Sequence, residues 1–273
     1  MRKLAKKLLQ VCLRHDALWH AVNPLEVKGF RTARKKALSR RFATQLEGHP
    51  VVQSGPFQGL TYPTLNSAGS VLVPKLLGTY ESELHPVITE LRQYQFATIV
   101  DVGCAEGYYA IGLARLFPGA RVLAYDISER ARSLCAEMAR RNDVANVEIR
   151  AGCDRKDLLA LPDAGRNLIV SDCEGFERVL FDRETVAYLR RSHFVIELHD
   201  FGLSGSSRAI VPFFQDTHEV RLITSVDDRD KAVRYHAPFV TTEDRLEREA
   251  AFAEDRGRTM EWLVATPRDG EAR

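Results

Sequence analysis

The chain has 273 residues, of which 45% are hydrophobic and 28% are charged, and its formal net charge is +2. A chain of this length can bury a hydrophobic core that is stable without disulfides or structural metal ions. Its five cysteines include no C-x-x-C pair and indicate neither a disulfide framework nor a zinc site. No apolar run approaches the roughly 20 residues of a membrane span, and a reducing, cytoplasmic location is expected.

The N-terminal region is strongly basic, with twelve Lys or Arg residues and two acidic residues in positions 1–41. Apolar residues near helical spacing predict a basic amphipathic helix over residues 1–22. The segment lacks the continuous apolar stretch and the cleavage site of a secretory signal. Three interpretations stay open: a helix packed on the domain with a solvated basic face, peripheral contact with an anionic membrane, and nucleic-acid binding.

Residues 43–80 are rich in Gly and Pro and are predicted to form loops with short extended pieces. We therefore assign residues 1–80 to an N-terminal extension and residues 81–273 to the main domain. That domain is predicted to begin with a helix over residues 81–95.

The next segment combines a strand, a glycine turn and a helix. The strand ends in Asp101, which Gly103 and Gly107 follow, and a helical pattern comes next. Glycines let backbone N–H groups approach a ligand closely, and the first turn of a helix offers unpaired N–H donors. The second strand ends in Asp126, which is placed to hold a ribose diol. The sequence therefore predicts an adenosine-containing cofactor.

The glycine turn lacks the middle glycine of a dinucleotide fingerprint, because Cys104, Ala105 and Glu106 follow Gly103. An acidic residue there would repel a pyrophosphate, whereas an ammonium and a sulfonium tolerate it. The pattern D-x-G-x-x-x-G, followed by an acid at the end of the second strand, resembles motifs I and II of the class I S-adenosylmethionine-dependent methyltransferases. An ordinary strand–helix turn is the alternative.

This resemblance implies S-adenosyl-L-methionine as cofactor. Related enzymes often place a contact to the adenine amino group at the position of Asp154, for which a helix cap is the alternative. Tyr80 and Glu81 are placed to reach the methionine end, unless they only begin a helix. The expected cofactor-binding residues are Tyr80, Glu81, Asp101, Gly103, Ala105, Gly107, Asp126, Ile127 and Asp154.

Strands and helices alternate along the rest of the chain, which favours a parallel sheet covered on both faces. The charged stretch 243–256 is predicted to be a solvated helix. The expected fold is α/β, a doubly wound, Rossmann-like, seven-stranded and mostly parallel sheet, whose last strand is antiparallel by the family resemblance. The predicted strands cover residues 97–102, 121–126, 146–150, 167–172, 193–198, 220–225 and 260–265.

Ligands of open α/β sheets bind beyond the carboxyl ends of the strands. Strand four continues into S-D-C-E-G-F-E-R-V-L, and strand five ends in V-I-E-L-H-D. These segments are similar to the D-x-E-G-x-E and E-x-H-D segments of FkbM-type methyltransferases, and G-P-F-Q-G-L-T-Y and L-L-G-T-Y-E-S-E-L-H resemble a subset of that family. The resemblance spans residues 55–267 and leaves residues 1–54 uncovered. It implies O-methylation of a small-molecule or glycan hydroxyl, on a sugar or a secondary metabolite.

The acceptor hydroxyl must be aligned with the methyl group and deprotonated. The candidate catalytic residues are Asp172, Glu174 and His199, with Glu197 at the same strand end. His199 is suited to act as a base near neutral pH. Asp172 with His199 or Asp200 is an alternative set for a divalent cation, but we favour the side-chain base and predict no metal.

The sequence leaves alternative roles open for two acidic residues, and it leaves two rival functions open for the protein. Glu174 has an alternative interpretation as a helix cap, and Glu177 is predicted to support the following helix rather than to contact substrate. One rival is an RNA methyltransferase that uses the basic N-terminus, although acids at the transfer site make nucleic acid an unexpected partner. The other is a non-catalytic cofactor-binding protein of the same fold.

Overall fold

A computed structural model describes residues 50–65, 67–162, 166–199, 208–237, 240–256 and 258–268, together with Ala37, Arg41 and Thr44. The predicted basic helix over residues 1–22 and Asp200 lie outside the described residues. Within the described ranges, no helix combines the length and the apolar character that crossing a bilayer requires.

A seven-stranded sheet forms the centre of the described structure, in the order β3-β2-β1-β4-β5-β7-β6. The first five strands run parallel, and β7 is antiparallel to both β5 and β6. This confirms the predicted fold class. The strands are β1 (Thr98–Val102), β2 (Arg121–Tyr125), β3 (Val147–Arg150), β4 (Asn167–Ser171), β5 (His193–Leu198), β6 (His218–Thr224) and β7 (Glu261–Pro267).

Every residue of β1, β4 and β5 is buried, because helices cover both faces of the sheet centre. Asp101 in β1 pairs with Val170 in β4, and Ser171 pairs with Ile196 in β5. The carboxyl ends of these strands are therefore level. This register brings the residues that follow β1, β4 and β5 to one edge of the sheet, where the sequence predicts the site.

The helices of the described residues are short, and the first one predicted for the main domain differs in its bounds from the sequence prediction. The helix predicted over residues 81–95 begins as a 3₁₀ turn (Ser82–Leu84) and ends at Leu91. The α-helices are α1 (Leu72–Leu77), α2 (His85–Leu91), α3 (Tyr108–Leu116), α4 (Glu129–Arg141), α5 (Arg155–Leu159), α6 (Glu177–Leu180), α7 (Arg183–Tyr188), α8 (Val211–Gln215), α9 (Asp228–Arg234) and α10 (Arg245–Phe252).

The segment before α2 is more regular than its composition suggested. Helix α1 lies in the region predicted to form loops, because its apolar residues pack inward and Gly78 ends it in a left-handed conformation with φ 75°. Phe57 and Leu60 belong to the core cluster that also contains β1 and α3. Residues 52–80, assigned above to the N-terminal extension, therefore share the core of the main domain. The division at residue 80 stays a prediction.

Residues 225–260 form an insertion between β6 and β7, here called the β6–β7 insertion. Thr224 and Leu198 both pair with Glu261, so the insertion leaves and rejoins the sheet at its carboxyl edge. It contains α9 and α10, and Phe252 of α10 packs in a cluster with Leu77 of α1.

The prediction of a solvated helix over 243–256 is wrong in this respect. Arg248, Glu249 and Glu254 are all buried. Glu254 forms an ion pair with buried Lys231 of α9, and Arg248 has polar partners in the segment after α9 begins. Arg248 donates to the backbone carbonyls of Ala232 and Tyr235.

Candidate functional site

The glycine loop follows β1 and turns sharply into α3. Gly103 has φ 89°, and a Cβ atom there would lie 1.8 Å from the carbonyl oxygen of Asp172. The loop after β1 therefore lies directly against the end of β4, in a contact that only glycine permits. Gly107 has φ 101° and forms the N-cap of α3.

Asp126 connects the glycine loop to the end of β2. One carboxylate oxygen accepts a hydrogen bond of 2.9 Å from the backbone N–H of Ala105, and the other accepts one of 2.8 Å from Ser128. Each oxygen keeps lone-pair capacity for a further donor such as a ribose hydroxyl. Ile127, the next residue, is 90% exposed. An exposed isoleucine at this position is available to cover an adenine ring.

Asp101 is a buried acid below the loop. Its Oδ2 atom has no hydrogen-bond partner among the described residues, and the side chain is 2% exposed. Burial and the charge of Asp172 raise the pKa of Asp101 to about 8, while a hydrogen bond from the Ala110 backbone acts in the opposite direction. A cationic ligand beside this carboxyl would favour its ionised form.

Glu106 differs from its sequence interpretation. The carboxylate does not face an open cofactor site, because it is 2% exposed and ion-paired with buried Lys75 of α1. It also accepts hydrogen bonds from the Ala68 backbone and from the hydroxyls of Ser67 and Tyr62. Burial works to raise the pKa of Glu106, but the charge of Lys75 and these hydrogen bonds hold it below its ordinary value. Repulsion by Glu106 is therefore not what disfavours a pyrophosphate.

Tyr80 and Glu81 lie beside the start of α3. Glu81 is 1% exposed, has a left-handed backbone with φ 47°, and accepts a hydrogen bond from the Tyr109 hydroxyl. Burial raises the pKa of Glu81 to about 7, with Arg256 lowering it and Glu254 and Asp172 raising it. The structure thus brings Glu81 to the loop from which the cofactor contacts are expected.

Asp154 is the N-cap of α5. Its side chain accepts hydrogen bonds from the backbone N–H groups of Lys156 and Asp157, and the Asp157 carboxylate accepts one from the Asp154 backbone N–H, which completes a capping box. The alternative interpretation as a helix cap is therefore the one that the contacts display. The adenine contact of Asp154 stays a prediction.

His199 is the centre of the candidate catalytic cluster. The residue follows β5 and is 4% exposed, and its Nδ1 atom lies 2.9 Å from a carboxylate oxygen of Glu177. When Nδ1 carries the proton and donates it to Glu177, Nε2 keeps its lone pair. Glu177 is fully buried and also accepts a hydrogen bond from the Cys173 backbone. The carboxylate therefore fixes both the orientation and the tautomer of the imidazole.

Three further carboxylates surround Nε2 of His199. The distances are 3.4 Å to Asp172, 3.6 Å to Glu197 and 3.9 Å to Glu174. Burial alone lowers the pKa of His199, but the hydrogen bond and charge of Glu177 and the charges of Asp172 and Glu174 outweigh it, so the pKa is raised. This arrangement favours a histidine that takes up a proton. The ligand atoms of Asp172, Glu174 and His199 also lie within 4.8 Å of one another, which is close enough to hold a metal ion.

The sequence prediction undervalued Glu177 in the segment after β4. Glu177 is predicted to support its helix, yet it is the partner of His199, and its position as the second glutamate of D-x-E-G-x-E is the signal that could have identified it. Glu174 does not cap α6, whose N-cap is Phe176. Glu174 is 80% exposed and has φ 55°. It is therefore free to meet an incoming acceptor.

Comparison with known proteins gives one family match. Residues 96–197 match the family model Methyltransf_31, which is described as a methyltransferase domain. No curated protein matches the chain.

Two solved structures illustrate the fold comparison. Precorrin-6y C5,15-methyltransferase from Geobacter metallireducens GS-15 is 16% identical, with 68% of this chain and 86% of that chain covered and a TM-score of 0.42. The O-methyltransferase TomG from Streptomyces achromogenes, involved in tomaymycin synthesis and solved with S-adenosylmethionine, is 16% identical, with 69% and 81% covered and a TM-score of 0.44. Likenesses at this level say nothing about the acceptor of this chain.

Proposed function

We propose that this chain, whose residues 96–197 match a methyltransferase domain, is a class I, S-adenosylmethionine-dependent methyltransferase that methylates a hydroxyl group of a glycan or secondary metabolite. One observation carries the proposal: His199, at the end of β5, is hydrogen-bonded through Nδ1 to buried Glu177, and its Nε2 atom lies 3.4 Å from Asp172 at the end of β4. A histidine fixed by a buried carboxylate is the arrangement that general-base catalysis on a hydroxyl requires. The FkbM-type resemblance of the D-x-E-G-x-E and E-x-H-D segments supports the same choice.

The residues at the glycine loop fit S-adenosylmethionine. Asp126 has lone pairs for a ribose diol, and Asp101 offers a buried carboxyl oxygen that lacks a partner among the described residues. Glu81 supplies a second buried carboxylate near the start of α3. Acids in these positions suit a cofactor that carries a sulfonium and an ammonium group. When bound, this cofactor supplies the electrophilic methyl group.

His199 then deprotonates the acceptor. Its Nε2 atom takes the hydroxyl proton, and the Glu177 carboxylate stabilises the imidazolium that forms. Asp172, 3.4 Å from Nε2 and 37% exposed, is placed to hold the same hydroxyl or a neighbouring one. Phe176 and Val179 are exposed apolar residues on the segment that follows, and they offer a surface for the body of the acceptor.

A divalent cation held by Asp172, Glu174 and His199 is the alternative means of activating the hydroxyl. We favour the base, because Nε2 then receives the hydroxyl proton, and the carboxylate neighbours that raise the pKa of His199 stabilise the protonated imidazole. Exhaustive dialysis against a chelator separates the two mechanisms. The enzyme retains full turnover after dialysis if His199 is the base, and it loses turnover if a cation activates the hydroxyl.

Partners and location follow from the same proposal. The excess of acids around His199 disfavours a polyanion, so nucleic acid is not the proposed acceptor. Cys104, Cys135, Cys153 and Cys173 are free, and the reducing cytoplasm is the proposed location. Peripheral contact of the basic N-terminal residues with an anionic membrane remains a proposal.

Titration calorimetry tests the proposed cofactor, with S-adenosylmethionine and NAD as separate ligands and Asp126→Ala as the variant. We expect binding of S-adenosylmethionine alone, weakened in the variant. Binding of NAD alone would refute the proposal. Transfer of a labelled methyl group to a panel of sugars and hydroxylated metabolites then tests the acceptor class, with His199→Asn as the inactive control.

A further inference from the structure

The β6–β7 insertion delivers a guanidinium to the candidate site. Arg256 comes after α10, shortly before β7, and is 14% exposed. It forms ion pairs with Glu81, with Glu197 at the end of β5, and with Glu254 of the insertion itself. Arg256 therefore joins three separate parts of the chain at the carboxyl edge of the sheet.

The position of Arg256 is fixed by its surroundings. Glu254 is fully buried, pairs with buried Lys231 of α9, and accepts a hydrogen bond of 3.0 Å from the Glu81 backbone N–H. At the base of the insertion, the Ser225 backbone donates to the Met260 carbonyl over 2.9 Å. The segment that carries the guanidinium is thus tied to α9, to Glu81 and to the base of the insertion.

Glu81 is the partner through which Arg256 acts on the cofactor. One carboxylate oxygen of Glu81 contacts Arg256, and the other accepts from Tyr109, the second residue of α3. A carboxylate held at both oxygens has one geometry and keeps its remaining lone pairs for a third donor. In the site proposed above, that donor is the amino group of the methionine moiety.

Direct binding of the cofactor carboxylate to Arg256 is the less favourable arrangement. The guanidinium already meets three carboxylates, and a fourth would be repelled by them. The cationic ammonium group instead meets an excess of negative charge here. The charges therefore assign Arg256 an indirect role.

We propose that Arg256 is a positioning residue for the methyl donor: Arg256 holds the Glu81 carboxylate in place for the amino group of the cofactor. The inference rests on the proposed function. It adds a requirement for the β6–β7 insertion that the glycine loop alone does not impose.

The test compares two ligands that differ in the methionine moiety. S-adenosylhomocysteine carries the amino group, and its deamino analogue lacks that group but keeps the carboxylate, so direct binding of the carboxylate to Arg256 would affect both ligands. Calorimetry measures both dissociation constants for the wild-type protein, Arg256→Met, Arg256→Lys and the control Arg234→Met. Arg234 lies on α9 of the same insertion and is 69% exposed, so its replacement removes the same charge without touching the site.

We expect Arg256→Met to weaken S-adenosylhomocysteine by about 10- to 100-fold, the effect of a lost hydrogen bond to a charged group. Binding of the deamino analogue stays within about 2-fold of the wild-type value. Arg256→Lys recovers part of the loss, because it restores the positive charge, and Arg234→Met changes neither ligand.

Equal weakening of both ligands by Arg256→Met would overturn the inference, because a purely structural role predicts that result. Unchanged binding of both ligands would overturn it as well. In either case the proposed function stands if the wild-type protein binds S-adenosylhomocysteine. A wild-type protein that binds neither ligand would instead refute the proposed function, and the inference with it.

Discussion

The buried ion pair between Lys75 and Glu106 gives the sharpest prediction for stability. Lys75 is 3% exposed and Glu106 is 2% exposed, so water solvates neither charge. The Lys75→Met substitution keeps most of the side-chain volume and removes the cation. It leaves a buried carboxylate with hydrogen bonds from Ala68, Ser67 and Tyr62 but without a counter-charge. Breaking a buried pair in this way costs about 3–5 kcal/mol.

Denaturant unfolding near neutral pH measures that loss. The double substitution Lys75→Met with Glu106→Gln removes both charges, and we expect it to be more stable than Lys75→Met alone. Replacing the exposed residue Lys156 with Met is the control and changes the unfolding free energy by less than about 0.5 kcal/mol. A loss below about 1 kcal/mol in Lys75→Met, or a double variant no more stable than the single one, would refute this account of the pair.

The same reasoning predicts the pH dependence of that loss. Lys75 holds the pKa of Glu106 below its ordinary value. Without Lys75 the pKa rises, so Glu106 takes up a proton as the pH falls and the buried charge disappears. The destabilisation in Lys75→Met is therefore largest at neutral pH and shrinks as the pH decreases towards about 5. A loss that is constant with pH would show that packing rather than charge is responsible.

Four further predictions concern the site. His199→Asn lowers kcat by about 10²- to 10⁴-fold. Glu177→Gln moves the acidic limb of the pH–rate profile to lower pH, because it removes a charge that raises the pKa of His199. An unmoved limb would contradict the role of Glu177. Asp101 has a pKa raised from 3.8 to about 8, so between these pH values the folded state holds a proton that the unfolded state has lost, and the unfolding free energy falls with rising pH by up to about 1.4 kcal/mol per unit. In Asp101→Asn, urea unfolding across this range is expected to show a weaker dependence of the unfolding free energy on pH. An unchanged pH dependence would contradict the burial argument. Gly103→Ala abolishes binding of S-adenosylmethionine in calorimetry, since its Cβ atom would lie 1.8 Å from a backbone oxygen, whereas Gly119→Ala, with nothing within 4 Å, binds normally; normal binding by Gly103→Ala would show that the loop can move.

The sequence by itself determined the order of strands along the chain and the edge at which the site lies. Hydrophobic runs and glycine turns are local signals, and each of the seven strands begins and ends within two residues of its predicted bounds. The residues at the ends of β1, β2, β4 and β5 were predicted for the same reason. In a parallel sheet the carboxyl ends of neighbouring strands share one edge.

Only the tertiary structure decided which charges meet. Glu177 and His199 are 22 residues apart, Lys75 and Glu106 are 31 apart, and Glu81 and Arg256 are 175 apart. No periodic pattern links such pairs, because each one depends on how separate segments cross the sheet edge. The charged stretch around α10 resembles a solvated helix for the same reason. In a sequence a charge that is neutralised by a distant partner cannot be distinguished from one that is neutralised by water.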